Sequence, residues 1–212
     1  MEGSTDLAIL RAFARILNHP VQVYLERPFV HYVTKPKSAR DHFYGIREAK
    51  SDIVGFALFD HLDQSLANTV DLREYMWEKN EIENYLFNID TLMAYSNDLP
   101  HETKLVHGPL FESGERERRV QAMQECIDDF ILGAAKRDPS DLWWKTNKAS
   151  ESLDRIFKSF YSKLGLPNLM NKSDYHILVQ YLSLDRIDNE VRSVLNLIFN
   201  VGKAAKPIQE ET

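Results

Sequence analysis

A seven-residue apolar run, Ile-Val-Gly-Phe-Ala-Leu-Phe at residues 53–59, constrains the fold more than any other feature of this sequence. The run contains no alternating polar residues, and Asp60 follows it directly. A strand of this kind is typical of a parallel sheet that is covered on both faces. A helical pattern at residues 38–50 precedes the run, as in an alternation of helices and strands. We therefore expect an α/β domain whose mostly parallel sheet is flanked by helices.

The first half of the chain continues this alternation, and the second half does not. Further strands are predicted at 21–25, 29–33 and 72–77, and further helices at 5–18 and 80–95. After a stretch that contains Pro100, Gly108 and Pro109, only helical patterns follow, at 115–136, 149–164, 172–182 and 188–201. The predicted organisation is an α/β domain at 1–96, a linker at 97–114, an all-helical region at 115–203 and a flexible tail at 204–212.

The bulk composition limits the environment and the partners. Of the 212 residues, 43% are hydrophobic, which is enough for a core of ordinary size. No apolar run approaches the roughly 20 residues of a membrane-spanning helix, so we predict no membrane partner. Cys126 is the only cysteine, which excludes an internal disulfide and favours the cytoplasm. The net charge of −6 argues against a surface that binds DNA everywhere, but it is compatible with a local acidic metal site.

Three acidic pairs at predicted element boundaries form the candidate site. They are Glu2 with Asp6, Asp60 with Asp63, and Glu81 with Glu83. Asp60 is well placed because sites in open α/β sheets form beyond the carboxyl ends of the strands. Carboxylate oxygens are the ligands that Mg²⁺ and Mn²⁺ prefer. Two such ions can activate water and stabilise the leaving oxygen in phosphodiester cleavage.

Each acidic pair also has a purely structural interpretation. Acids favour helix N-termini because of the helix dipole, which would explain Glu2 and Asp6. Asp60 and Asp63 would start a turn. Asn80 with Glu83 would form a capping box at the start of a helix. The residues alone leave both interpretations open.

At these positions the chain resembles the TOPRIM domains of the overcoming-lysogenization-defect (OLD) family of ATP-dependent endonucleases. Glu2-Gly-Ser-Thr-Asp6 resembles the first TOPRIM motif, in which an acid follows a strand-terminal Glu-Gly. Phe-Ala-Leu-Phe-Asp60 resembles the strand that leads into the family's Asp-x-Asp motif. Glu81-Ile-Glu83-Asn-Tyr-Leu resembles the glutamate-rich segment of TOPRIM domains that are fused to ABC-type ATPases. The three segments occur in the expected order within residues 2–90.

The resemblance implies a TOPRIM-like fold and a DNA endonuclease or nickase that uses one or two Mg²⁺ or Mn²⁺ ions. The six acids of the three pairs would be metal ligands, and Glu2 and Asp60 would also be catalytic. Asn171-Lys172-Ser-Asp resembles the late helix start at which these nucleases carry a functional lysine. Lys172 would therefore be catalytic and contact the scissile phosphate. The implied partners are DNA and an ABC-type ATPase domain or subunit, in phage defence or DNA processing.

Two clusters of basic residues are candidates for steering the DNA backbone. They are Lys35, Lys37 and Arg40, and Arg116, Arg118 and Arg119. A solvated charged face is the more common origin of such clusters.

The sequence departs from the family pattern in two places. Leu62 stands where the family has the second acid of its Asp-x-Asp motif, and Asp63 is one position further on. Only Met1 precedes Glu2, although the family's first glutamate ends the first core strand. We therefore expect a chain without this strand, whose exposed sheet edge would pair with another chain or another copy of itself. The departures favour an alternative function, a degenerate non-catalytic TOPRIM module that serves binding or assembly.

Overall fold

The computed structural model describes residues 1–98 and 109–205, with only the backbone of residues 109–111. The helices and strands of this part are, in chain order, α1 (Ser4–Ile16), α2 (Gln22–Leu25), α3 (Pro36–Ala49), β1 (Gly55–Phe59), β2 (Leu72–Met76), α4 (Ile89–Asn97), α5 (Pro109–Phe130), α6 (Gly133–Arg137), α7 (Trp143–Thr146), α8 (Ala149–Lys163) and α9 (Asn189–Ala204). Short 3-10 helices are Ile82–Tyr85, Lys172–Tyr181 and Leu184–Arg186. The chain is therefore mixed α/β, as the sequence predicts at the level of fold class.

The chain forms two compact units. The first consists of Met1–Glu78 and the segment that starts at Leu184, and the second is Lys79–Ser183. The first unit ends before the 3-10 helix Ile82–Tyr85 and takes in α9. The predicted domain bounds at 96 and 115 stay a prediction. The predicted linker at 97–114 lies partly outside the described residues.

The sheet of the first unit has two strands in the described residues, β1 and β2, which pair in parallel from Gly55 with Leu72 to Phe59 with Met76. The strands predicted at 53–59 and 72–77 are thus confirmed. One face of the sheet packs on α3 through Ala39 and Phe43. An apolar strand pair needs such a cover because its side chains project to both faces.

The strand predicted at 21–25 is wrong, because this segment forms α2. Val21 and Leu25 are both buried and lie four residues apart, a spacing that puts them on one face of a helix. The Arg11 guanidinium donates hydrogen bonds to the carbonyl oxygens of Leu25 and Glu26 at the end of this turn, at 2.6 and 2.9 Å. Burial of two apolar side chains on one side therefore outweighs the β propensity of the valines.

The strand predicted at 29–33 is also wrong, because no sheet includes this segment. Its backbone makes one bond of the kind found in a ladder, from the Val33 N–H to the Met1 carbonyl oxygen at 3.0 Å. Phe29 is 85% exposed, so the segment has no cover on that side. A strand requires a neighbouring strand along its length, and the described residues supply none here.

The two long helices predicted at 80–95 and 172–182 form differently. The first is divided into the 3-10 helix Ile82–Tyr85 and α4, because the Asn88 side chain accepts a hydrogen bond from the Thr91 N–H and starts a new helix. The second is 3-10 over Lys172–Tyr181, and it begins at Asn171, whose N–H donates to the Asp174 carboxylate at 3.0 Å.

Gly55 tests the packing of α3 on the sheet. A Cβ added at this position would lie 2.8 Å from the Phe43 ring, and that ring is buried. We expect Gly55→Ala to lower the free energy of unfolding by about 1–3 kcal/mol, because overpacking moves a buried side chain. Urea unfolding followed by circular dichroism measures this change.

Gly45→Ala is the matched control. Gly45 lies inside α3, and nothing lies within 4 Å of a Cβ added there. This substitution should raise the free energy of unfolding by about 0.5–1 kcal/mol, since alanine loses less conformational entropy in a helix. Equal effects of the two substitutions would contradict the packing described here.

Candidate functional site

The first acidic pair lies at the start of α1, where Gly3 is the N-cap. The Asp6 carboxylate accepts hydrogen bonds from the backbone N–H groups of Glu2 and Gly3, at 3.0 and 3.1 Å. Asp6 therefore satisfies backbone donors that the helix leaves unpaired at its start. The structural interpretation of Asp6 is realised, and the same bonds fix the backbone of Glu2.

The second acidic pair lies in the loop that follows β1. Asp60 comes directly after the strand, and its charge acts on the Met1 amino nitrogen together with the charges of Glu2 and Asp6. Burial lowers the pKa of this amino group, and the three carboxylates oppose that effect. The carboxylates of Glu2, Asp6 and Asp60 thus all act on the charge of the Met1 amino group.

Leu62 and Asp63 point to different environments in the same loop. Leu62 is partly buried and packs against the apolar cluster of the sheet, whereas Asp63 is exposed. The His61 Nδ1 lies 3.0 Å from the Trp77 carbonyl oxygen and holds the loop beside the end of β2. Asp63, the acid next to the position of Leu62, is therefore accessible to solvent.

The described carboxylates of the first unit are not grouped as a complete set of ligands for a divalent ion. Within residues 1–98 and 109–205, no three His, Cys, Asp or Glu side chains are grouped so as to hold a metal ion. Mg²⁺ is commonly held by only one or two carboxylates together with waters and substrate phosphates. Asp6 already caps α1, through its bonds with the backbone N–H groups of Glu2 and Gly3.

The third acidic pair lies in the second unit and has two different environments. Glu81 is 3% exposed, and its carboxylate accepts hydrogen bonds from the backbone N–H and the hydroxyl of Ser150, the latter at 3.1 Å. Ser150 lies in the first turn of α8, so Glu81 caps that helix from a distant part of the sequence. The Asn84 side chain donates to the carbonyl oxygens of Trp144 and Asn147 and holds the same region.

Glu83 lies beside Lys172, the other residue for which the resemblance implies a role. The Glu83 side chain is 3% exposed, and its Oε1 lies 3.9 Å from the Lys172 Nζ, whose side chain is 60% exposed. Burial raises the pKa of the nearby Tyr175 phenol, and the charges of Asp154, Glu83 and Glu81 raise it further. The fold thus brings together Glu83 and Lys172, which are 89 positions apart in the sequence.

The first predicted basic cluster is divided between an exposed part and a buried ion pair. The Arg40 Nη1 lies 2.9 Å from both carboxylate oxygens of Glu74, a side chain with no exposed surface. Glu74 also accepts a hydrogen bond from the Ala67 N–H at 2.8 Å. Lys37 is 81% exposed and pairs with Asp41 at the surface. Arg40 therefore neutralises a buried carboxylate, a role that no local sequence pattern indicated.

The second predicted basic cluster contacts backbone carbonyl groups within the second unit. The Arg116 guanidinium donates to the Asn97 carbonyl oxygen, and that of Arg118 donates to Leu164 at the end of α8. Arg119 is 4% exposed, donates to the Ser96 carbonyl oxygen and lies 5.2 Å from the centre of the Phe160 ring. Cations at helix C-termini stabilise carbonyl groups that lack a partner within the helix. The burial of Arg119 gives that residue a structural role.

No protein-family model, curated protein or solved structure matches this chain. In the described residues, no helix has both the length and the apolar character needed to cross a membrane. The site is therefore interpreted from its own geometry.

The cap that Glu81 provides can be tested by its removal. Glu81→Ala leaves the buried Ser150 N–H without its acceptor, so we expect a loss of about 1–3 kcal/mol in the free energy of unfolding. Glu151→Ala is the control, because this side chain is 56% exposed and pairs with Lys148 at the surface. The control should change stability by less than about 0.5 kcal/mol. Similar losses in both variants, measured by urea unfolding, would show that Glu81 is not a cap.

Proposed function

We propose that this chain is the metal-binding core of a TOPRIM-like, divalent-metal-dependent DNA endonuclease or nickase of the OLD kind. The observation that carries the proposal is that Asp60 directly follows the parallel strand β1. The charges of Glu2, Asp6 and Asp60 all act on the Met1 amino group. Acids at that end of a strand are where an α/β sheet forms ligand sites. The order of motifs in the sequence supports the same function.

In this proposal, some residues bind the metal ion and others position its ligands. Glu2 and Asp60 hold Mg²⁺ or Mn²⁺, and Asp6 fixes the backbone of Glu2 through the cap of α1. An ion held by these residues would activate a water and stabilise charge on the phosphodiester. Asp63 lies on the exposed side of the same loop and is proposed as an outer ligand for a second ion.

Lys172 and Glu83 lie together in the second unit. The exposed Lys172 ammonium is proposed as a contact for a DNA phosphate, whose charge it would neutralise. Glu83 lies within ion-pair distance of this ammonium and holds it in place. Glu81 is proposed as a positioning residue, because its carboxylate caps α8.

The proposed substrate is DNA. The proposed partner is an ABC-type ATPase domain or subunit, and the proposed role is in phage defence or DNA processing. Lys35 and the exposed Lys37 are proposed as contacts that steer the backbone, whereas Arg40 is held by Glu74. The proposed location is the cytoplasm, where a free thiol such as the buried Cys126 stays reduced.

A second candidate function is that of a non-catalytic TOPRIM-like module for binding or assembly. The observation that favours it is Leu62, which packs into the apolar cluster at the position of an acid in the family motif. Asp6 and Glu81 both serve as helix caps, which reduces the number of carboxylates left for ions. This candidate predicts a folded chain that binds a partner without cleaving DNA.

The two candidates differ in a nicking assay on supercoiled plasmid with Mg²⁺ or Mn²⁺. If the chain is a nuclease, Asp60→Asn should reduce the nicking rate by at least about 100-fold, because the neutral amide no longer holds the ion. Asp41→Asn is the matched control, since Asp41 is 63% exposed and pairs with Lys37 at the surface. EDTA should abolish the activity of the unsubstituted chain.

Circular dichroism spectra of all three proteins confirm that each is folded before the rates are compared. A folded unsubstituted chain that leaves the plasmid intact supports the binding module. An equal nicking rate in the Asp60→Asn variant would contradict the assignment of Asp60 as a metal ligand.

A further inference from the structure

The first unit contains an apolar cavity of about 610 Å³. The residues that line it all belong to this unit, and they come mainly from α3, β1, α9 and the segment from Pro28 to Val33. Cavities of roughly 300–1,000 Å³ with mostly apolar walls are typical of small-molecule sites. The cavity therefore has the size and the lining of a ligand site.

The inner part of the lining is buried and apolar. Its side chains are Leu7, Leu25, Ala39, Phe43, Ala57 and Leu72. A second group of apolar residues also lines the cavity but is only half-buried, namely Val30, Val33, Ile46, Ile53, Val54, Phe56, Ile198 and Val201. An apolar chain bound in the cavity would remove this surface from water, and that removal is the main source of affinity for apolar ligands.

The exposed part of the lining has a different character. It consists of Tyr24, Phe29, His31 and Lys50, and Lys50 directly follows α3. The described residues that line the cavity include no aspartate or glutamate, although the chain has 32 acidic residues against 26 lysines and arginines. The cavity thus combines apolar inner walls with an ammonium group at its exposed side.

The Lys50 ammonium has an acidic neighbour that is not part of the lining. Its Nζ lies 3.0 Å from an Asp52 carboxylate oxygen, and the two side chains are 46% and 38% exposed. Exposed ion pairs of this kind contribute little to stability, because solvent screens them and two side chains must be held in place. A carboxylate from a ligand can therefore replace Asp52 beside Lys50 at little cost.

We propose that this cavity binds a free carboxylic acid with a long apolar chain, a ligand of the fatty-acid class. The chain lies against the buried inner walls, and the carboxylate pairs with Lys50 at the exposed side. This orientation matches each part of the ligand to the part of the lining that has the same exposure and a complementary chemistry. The inference does not rest on the proposed nuclease activity.

A neutral apolar molecule fits these observations less well. It would cover the exposed side of the cavity without a partner for the Lys50 charge, and a charge taken from water without a partner is costly. A membrane phospholipid shares the apolar chain with a free acid, so vesicles are the control for that source.

A titration followed by NMR of the ¹³C-labelled methyl groups tests the proposal. Decanoic acid, kept below its micelle concentration, should cause saturable shifts at Ile46, Val54 and Val201, which line the cavity. Methyl groups of Ile127 and Leu153, buried in the second unit, are the internal reference. Decan-1-ol should bind at least about tenfold more weakly, because it makes no charge-assisted contact with Lys50. Vesicles of phosphatidylglycerol should leave the lining methyl groups unshifted.

Two substitutions test the contact with the carboxylate. Lys50→Gln should weaken the binding of decanoic acid by at least about fivefold and leave that of decan-1-ol unchanged. Asp52→Asn should strengthen the binding of decanoic acid, since it removes the carboxylate that competes for Lys50. Lys158→Gln is the matched control, because this lysine is 62% exposed and pairs with Asp154 as Lys50 pairs with Asp52.

A third substitution tests the cavity itself. Val30→Trp places an indole at a half-buried lining position and should weaken both ligands by at least about tenfold, because it fills the volume that the chain needs. Val70→Trp is the control, since Val70 is fully exposed and does not line the cavity. Circular dichroism confirms that each variant is folded.

Saturable shifts of the lining methyl groups that prefer the acid, and that Lys50→Gln and Val30→Trp reduce, support the site. Three outcomes overturn it: no saturable shift with decanoic acid, equal affinity for the acid and the alcohol, or equal shifts caused by the vesicles.

Discussion

The parallel pairing of β1 with β2 is the interaction on which the rest of the first unit depends. The register puts Phe59 opposite Met76, so the loop that carries Asp60 leaves the sheet beside the end of β2. Glu74 in β2 is buried and pairs with Arg40 of α3, which ties that helix to the sheet through two short contacts. Removal of one partner from a buried pair leaves an uncompensated charge and is strongly destabilising. The position of Asp60 therefore rests on contacts made away from the loop.

The acidic residues of this chain serve two physical purposes. Asp6 and Glu81 accept hydrogen bonds from helix N-terminal N–H groups, so their negative charge is satisfied within the fold. Glu2 and Asp60 are the carboxylates proposed as metal ligands, and Asp60 directly follows β1. A metal site and a helix cap recruit the same residue types, because each needs carboxylate oxygens beside partial positive charge. Burial and hydrogen-bond partners distinguish the two uses, and composition does not.

Local sequence patterns predict the helices and strands that local interactions determine. The apolar run at 53–59 predicted β1 because a strand covered on both faces needs no polar alternation. The β-branched residues of segment 21–25 predict a strand, but the packing of Val21 and Leu25 on one helical face decides its structure. Segment 29–33 could not be predicted either, since a strand exists only where a neighbour completes its ladder.

The same limit applies to the candidate site. The acidic positions were visible in the sequence, but the caps of Glu81 and Asp6 could be assigned only when their partners were known. The pairs Arg40 with Glu74 and Glu83 with Lys172 join residues 34 and 89 positions apart, distances at which no short-range pattern indicates contact. The cluster of arginines predicts that Arg119 contacts DNA phosphate. In the structure Arg119 is buried beside the Phe160 ring, which reflects packing.

A Mn²⁺ titration followed by electron paramagnetic resonance tests the central claim most directly, because it detects the ion without requiring DNA cleavage. The account predicts saturable binding by the unsubstituted chain, weakened by at least about tenfold in both Glu2→Gln and Asp60→Asn. The Asp41→Asn variant should bind Mn²⁺ as the unsubstituted chain does, since the Asp41 side chain is exposed and pairs with Lys37. Binding that is absent from the folded chain, or that survives both substitutions unchanged, would contradict the claim that Glu2 and Asp60 form a metal site at the end of β1.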